Sequence, residues 1–298
     1  MVSVLISVYN QDPGTLVRDI YSQLQDLDKP FEIIIGNDYS DSKFMPLFDS
    51  LEELSHIKCF HPDKNLGRSK IRNALAKQAR YENLLFIDGD ALVLKEDFLS
   101  VYMQYADSVS VICGGTAYYE DPPEERQEIL RWKYGVKREA RAAKIRNQSP
   151  HSGFSSFNFL VPASVFNKIK FDESIVRYGH EDTIFGIELQ KENVKVLHID
   201  NQLIHNGLDD SEVFLEKTKE GLLNLLELLK NYKDPDVLER HIRILSKYSS
   251  LRKWGGHHLI RLIDQLSSGS IRRNLTGPRP SLALFDLYKL CILNKIQA

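Results

Sequence analysis

The amino-acid sequence predicts an α/β fold, a mainly parallel sheet flanked by helices, with a helical C-terminal extension. Three observations support it. Apolar, β-branched runs recur at residues 2–8 (VSVLISV), 31–36 (FEIIIG) and 84–88 (LLFID), and each runs into polar residues. Continuous runs of this kind suit parallel strands buried on both faces. Helical patterns separate them, at residues 13–27 after the first strand and 67–80 before the third, so the opening is βαβ-like. Beyond residue 211 the pattern is helical: SEVFLEKTKEGLLNLLELLKNY, then PDVLERHIRILSKYSSLRKW, then GHHLIRLIDQL.

In chain order, the first strand runs into Tyr9 and Asn10 and the second into Asp38. The third ends at Asp88, with Asp90 beyond Gly89. In a parallel sheet the ligand crevice lies outside the carboxyl ends of the strands, so these five residues gather at one rim. At a strand end the backbone can turn so that two carboxylates one residue apart converge on one point. A hard divalent cation, Mg2+ or Mn2+, takes such oxygen ligands and completes its shell with waters and substrate phosphates, which points to a bound diphosphate. The competing reading is a solvated turn, because Asp and Gly are ordinary turn residues.

Composition bounds the class. The 298 residues are 42% hydrophobic with a formal net charge of −2, values of a soluble globular protein large enough for a full α/β core. No apolar run reaches transmembrane length, and the chain opens on a core strand rather than a cleavable signal. Cys59, Cys113 and Cys291 have neither disulfide nor zinc spacing, which fits a reducing cytoplasm.

Five blocks together resemble family 2 glycosyltransferases, the inverting nucleotide-sugar enzymes with the Rossmann-like GT-A fold. VSVLISVYN is similar to the family's opening strand, NDYSDS to its acidic nucleotide loop, NLGRSKIRNALAKQA to its Asn-x-Gly…Arg-Asn helix and FIDGDALV to its DxD element. FDESIVRYGHEDTIFGIEL resembles the acceptor-side segment that carries the base in a Glu-Asp pair. The resemblance covers roughly residues 1–210, a catalytic domain with a nucleotide-sugar half (about 1–115) and an acceptor half (about 116–210). Residues 211–298 form a separate helical region.

The resemblance implies roles for single residues. Tyr9, with Asn10 beside it, stacks on the nucleotide base, and Asp38 accepts a hydrogen bond from a uracil-type imide N–H. Stacking tolerates any base, whereas an acceptor selects. The alternative for both is strand-end capping. Arg72 reaches the nucleotide or its phosphate, with a solvated helix charge beside Arg68 and Lys70 as the alternative. Asp88 holds the ribose or a metal-bound water, and Asp90 coordinates the ion that bridges the phosphates. Gly89 and Ala91 stand where polar or acidic residues often occur, which leaves the number of carboxylate ligands open. His205 adds a further ligand, or is a packing residue.

Inversion needs an acceptor hydroxyl to attack opposite the diphosphate while a base takes its proton. The resemblance assigns that base to Asp182, with Glu181 beside it. Both open a helical pattern, whose N–H groups would hold a carboxylate and lower its pKa. His180 is a further acceptor contact. Ser156 and Asn158 sit among aromatic residues in SPHSGFSSFNFLVPASVF, a mixture suited to a sugar wall, or an ordinary edge strand. Residues 121–148 form a charged helical stretch, either a lid over the donor or a solvated helix.

The expected function is metal-dependent transfer of a sugar from a nucleoside diphosphate, UDP by resemblance, to a glycan or lipid-linked hydroxyl in bacterial surface-polysaccharide assembly. The rivals are nucleotidyltransfer, which would carry a Gly-rich, basic phosphate loop that SVYNQDPGTLVRD lacks, and a catalytically inactive binding scaffold. Residues 247–298 hold nine Lys or Arg against two Asp, about +7, and the preceding chain is about −9. That tail would either touch an anionic membrane at the inner face of the plasma membrane or pack with a solvated basic face. Nucleic acid is excluded as a partner because no recognition motif accompanies the charge.

Overall fold

The computed structural model describes residues 1–106 and 108–297. They divide into two compact units: residues 1–118, 140–176 and 181–207 in the first, and 119–139, 177–180 and the chain from 208 in the second.

The first unit is an α/β layer structure. Its strands are β1 (Val2–Val8), β2 (Phe31–Asn37), β3 (Ile57–Phe60), β4 (Asn83–Asp88), β5 (Ala91–Leu92), β6 (Val111–Cys113), β7 (Thr116–Ala117), β8 (Asn158–Pro162), β9 (Val196–His198) and β10 (Leu203–His205). Its helices are α1 (Gly14–Asp26), α2 (Met45–Glu52), α3 (Arg68–Gln78) and α4 (Phe98–Met103); α5 (Ile129–Tyr134) falls in the second unit, and α6 (Ala143–Arg146), α7 (Ala163–Lys168) and α8 (Glu181–Lys191) return to the first. The main sheet has the order β3-β2-β1-β4-β8-β6-β9. β1, β2, β3 and β4 are mutually parallel, β8 runs antiparallel between β4 and β6, and β9 is parallel to β6.

The sequence of β1 explains why it sits in the middle of this sheet. Val2, Val4, Ile6 and Val8 point to one face, where Leu16, Val17, Ile20 and Leu24 of α1 and Phe48 and Leu51 of α2 cover them. Leu5 points to the other face, into a cluster with Leu75, Phe86, Phe166, Phe171 and Phe185. A strand apolar on both sides needs helices on both sides, and α1 supplies one layer through apolar residues spaced at helical period. The second face is largely aromatic: Phe86 stacks on Phe159 at 4.8 Å and Phe171 on Phe185 at 4.5 Å.

A second, three-stranded sheet has the order β5-β10-β7. β10 pairs antiparallel with β5, which sets His205 opposite Ala91. The short β5 begins just past the carboxyl end of β4, so this small sheet brings residues more than a hundred positions apart to the rim.

The second unit is helical: α9 (Ser211–Asn231), α10 (Pro235–His241), α11 (Arg243–Lys253), α12 (Gly256–Leu275) and α13 (Leu282–Ile296), joined by α5. Leu130, Phe214, Leu215, Ile271, Leu275 and Phe285 form its core. Residues 119–139 therefore cluster with the C-terminal helices rather than forming a free charged helix. Lys133 Nζ donates to Pro280 O at 2.8 Å, and Arg138 pairs with Asp286 at 3.0 Å. Among the described residues no helix is long and apolar enough to cross a membrane.

Candidate active site

The strand order turns back between β1 and β4, and the carboxyl ends of β2, β1 and β4 lie side by side there. Open α/β sheets bind ligands at such a place. Tyr9 follows β1 with its ring 56% exposed, open to a stacking partner. Asn10 adopts φ 51, in the left-handed region that Asn tolerates better than most residues. Its Oδ1 accepts the Asp41 N–H at 2.8 Å and its own N–H donates to Ser40 Oγ at 2.8 Å, so it laces the loops after β1 and β2 together.

Asp38 is buried. Its two carboxylate oxygens accept the N–H groups of Leu66 at 2.6 Å and Gly67 at 2.9 Å, and its carbonyl accepts from Asn65 Nδ2 at 2.8 Å. It thus shapes the loop that opens α3, whose lead residue Gly67 has φ 79. Burial pushes the Asp38 carboxyl up against the pull of those two donors.

Arg72 is 2% exposed, not a solvated helix charge. Its Nη2 donates to Asp88 Oδ1 at 2.6 Å, its Nη1 lies 3.5 Å from Glu181 Oε1, and the guanidinium sits 5.4 Å from the Phe171 ring centre. Asp88 pairs in register with Ser7, whose Oγ lies 3.5 Å from Asp88 Oδ1. Gly89 follows because the chain there presses on β1: a Cβ would stand 2.8 Å from Val8 Cγ2 and 2.9 Å from Ser7 O. A side chain between the two aspartates has no room.

Asp90 meets His205 one strand pair away, with Oδ2 and Nε2 3.3 Å apart. Asp90 Oδ1 and His205 Nδ1 are buried without a hydrogen-bond partner, unusual for atoms of this kind. Burial raises the Asp90 carboxyl most, His205 lowers it, and Asp88 adds to the rise. Adjacent ligands on an octahedral cation with bonds of about 2.1 Å lie roughly 3 Å apart, so the Asp90–His205 pair fits one hard divalent ion. Around such an ion the remaining positions suit phosphate oxygens and water.

Glu181 and Asp182 open α8. Glu181 is 4% exposed and also lies 3.5 Å from Arg68 Nη1. Asp182 Oδ1 accepts the Thr183 N–H at 2.7 Å. The expectation that helix donors lower its pKa is overturned: burial, then the Glu181 charge, push Asp182 up to about 6, against Thr183, Arg72 and Arg68. A carboxylate desolvated beside a second one is held less well as an anion than a single helix-start bond can repay.

The remaining expected residues fall elsewhere. Asn158 is a buried structural residue rather than a free sugar contact: its Nδ2 donates to Gly115 O at 2.6 Å and its Oδ1 takes the Tyr102 hydroxyl. Ser156, just before β8, is 5% exposed. His180 belongs to the second unit. It adopts φ 71 directly after Gly179 at φ 87, and Asn224 Nδ2 holds the Gly179 carbonyl at 2.5 Å.

Three residues at the site escaped the sequence reading. Gly207 passes over Asp90 so closely that a Cβ would stand 2.7 Å from Gln11 Nε2 and 3.0 Å from Asp90 Oδ2. Gln11 is the second. Tyr118 stacks on His205 at 5.5 Å, with Phe157 also at 5.5 Å. Nothing in their local sequence marks them, because their importance comes from the β5–β10 pairing. Arg68, read as a bystander, bears electrostatically on both Asp90 and Asp182.

Comparison with known proteins agrees with this fold. Residues 3–169 match the profile of "Glycosyl transferase family 2". A glycosyltransferase of Methanocaldococcus jannaschii, MJ1057, is 21% identical over 236 residues, covering 78% of this chain and 79% of that protein. One from Rickettsia bellii is 30% identical over 117 residues, 39% of this chain; the match spans only 16% of that longer protein. Among solved structures, Staphylococcus aureus TarS 1–349 superposes with a TM-score of 0.53 at 17% identity, covering 99% of this chain and 90% of TarS 1–349. The mannosyltransferase PcManGT of Pyrobaculum calidifontis, in complex with GDP-Man and Mn2+, gives 0.56 at 13% identity, covering 99% of this chain and 87% of the other. With a mostly parallel sheet, a polar rim at its switch point and a family profile over more than half its length, this chain is a member of glycosyltransferase family 2 with the GT-A fold.

Proposed function

We propose that this protein transfers a sugar, with inversion, from a uridine diphosphate donor to a hydroxyl of a glycan or lipid-linked acceptor. The observation that carries the reading is the Asp90–His205 pair, with Oδ2 and Nε2 3.3 Å apart at the rim, together with Asp182, held up to about 6. TarS, which shares the fold, has been crystallised with UDP-GlcNAc and with UDP, which supports a nucleotide-sugar donor; the choice of UDP rests on the family resemblance. PcManGT, with GDP-Man and Mn2+, supports the metal. A cytoplasmic place in bacterial surface-polysaccharide assembly rests on the family resemblance alone.

In this reading the catalytic domain is residues 1–210. Tyr9 stacks on the base, Asn10 and Asp38 shape the loops around it, and Asp88, held by Arg72, faces the ribose side. Asp90 and His205 hold a Mn2+ or Mg2+ ion. When bound, that ion neutralises the charge that develops on the departing diphosphate. Asp182 accepts the proton of the acceptor hydroxyl as its oxygen bonds to the anomeric carbon, while the bond from that carbon to the diphosphate breaks. A base near 6 is ionised at neutral pH, yet more basic than an exposed aspartate. Glu181 keeps the base's environment anionic.

The test is calorimetric titration of UDP in Mn2+ and in EDTA, with wild type and Asp90→Ala. Metal-dependent binding that Asp90→Ala abolishes supports the reading. Equal binding by both proteins with Mn2+ present refutes the metal assignment and favours an inactive scaffold.

A further inference from the structure

We propose that the outward face of α12, with the turn from α11 into it, docks on an anionic lipid surface, so that the second unit lies on a membrane rather than in solution. The inference is independent of the transfer chemistry and is read on vesicles alone.

Helix α12 has two apolar faces. Its inward face is accounted for: Ile260 and Ile271 are 4% exposed and Leu275 is fully buried. The opposite face carries Leu259, Leu262 and Leu266, which are 61%, 51% and 77% exposed. Their i, i+3, i+7 spacing places them on one stripe. Just before α12, Trp254 is 91% exposed and Leu251, in the last turn of α11, 38% exposed, and Gly255 at φ 73 sets the corner between the two helices. Single exposed leucines are ordinary, but an aligned row of three with a bare tryptophan nearby in sequence is not.

The charges beside the stripe select the occupant. Arg252 and Lys253 at the end of α11, and Arg261 and Arg273 on α12, are all exposed. The acid within α12, Asp264, is withdrawn from this face, 14% exposed and paired with Lys295 at 2.8 Å. An exposed apolar stripe with a nearby bare Trp and several exposed cations on the same helix and the one before it is what an interfacial helix presents to anionic headgroups. A second copy of the chain is the weaker occupant. A two-fold interface sets each patch against itself, so these cations would face their own images with no exposed acid on the patch to answer them. Since no helix among the described residues is long and apolar enough to span a bilayer, the contact is parallel to the surface.

The experiment is flotation of the full chain with vesicles of phosphatidylcholine alone and of phosphatidylcholine mixed with phosphatidylglycerol, at low and high salt. Wild type is expected to float with the mixed vesicles at low salt only, and Trp254 emission to shift to the blue. Two variants separate the contributions: Leu259→Ser with Leu262→Ser and Leu266→Ser, and Arg252→Gln with Lys253→Gln, Arg261→Gln and Arg273→Gln. The basic variant is expected to lower partitioning by roughly a hundredfold or more, since each basic residue near the surface contributes about a factor of five, and the leucine variant by roughly tenfold or more through lost apolar burial. All seven positions are on the surface, and circular dichroism confirms that the variants fold. Wild type that fails to float, or variants that float equally well, overturns the proposal. Sedimentation showing that the leucine variant merely converts a dimer to a monomer, with no wild-type flotation, assigns the stripe to self-association instead.

Discussion

Replacing Asp182 by Asn is expected to make the protein more stable and inactive at once, and both effects follow from its surroundings. An exposed aspartate ionises near 3.8, whereas burial and the Glu181 charge hold Asp182 protonated up to about 6. In that window the folded state binds a proton the unfolded state has released, so wild-type stability falls as pH rises from about 4 to 6 and stays lower above. The difference is worth about 3 kcal/mol at most, and partial solvent access at the side chain brings it towards 1–2 kcal/mol. Asn cannot ionise, while its Oδ1 keeps the Thr183 N–H bond. Urea unfolding at pH 4 and pH 8 should therefore show Asp182→Asn gaining on wild type by about 1–2 kcal/mol between the two, with titrating groups that do not interact with residue 182 cancelling in the comparison. Transfer activity should vanish in the variant, and wild-type kcat/KM should fall below pH 6 as the base protonates. A stability difference that does not change with pH would show that the carboxylate carries no ionisation penalty, and would refute the reasoning.

Three further outcomes are expected. Gly89→Ala drives a methyl to within 2.9 Å of β1 and should cost about 1–3 kcal/mol in chemical denaturation; a neutral effect would mean the strand ends move apart easily. Arg72→Met leaves Asp88 and Glu181 without their shared cation and should destabilise by about 3 kcal/mol in the same assay. Phe86→Ala empties the centre of the aromatic layer and should cost about 3–5 kcal/mol in the same assay while UDP affinity at low temperature changes little.

The sequence by itself determined which strands are central and where they end. β1, β2 and β4 are apolar on both faces, and only a position between two helix layers satisfies such a run, so Tyr9, Asp38 and Asp88 had to emerge at one rim. It also marked Asp90 and His205 as candidates through spacing and family resemblance. What it left open was decided by contacts between distant segments. The β5–β10 pairing alone brings His205 to Asp90, and the same pairing makes Gly207 and Gln11 matter. Whether an asparagine or arginine is free depends on who else reaches it: Asn158 is taken by Gly115 and Tyr102, and Arg72 by Asp88. The ionisation of Asp182 was read with the wrong sign because a helix start is a local feature, whereas desolvation and the Glu181 charge act through the packed surroundings. Local pattern dictates secondary structure and burial period; partner identity and dielectric environment are properties of the folded arrangement, and those decide the chemistry.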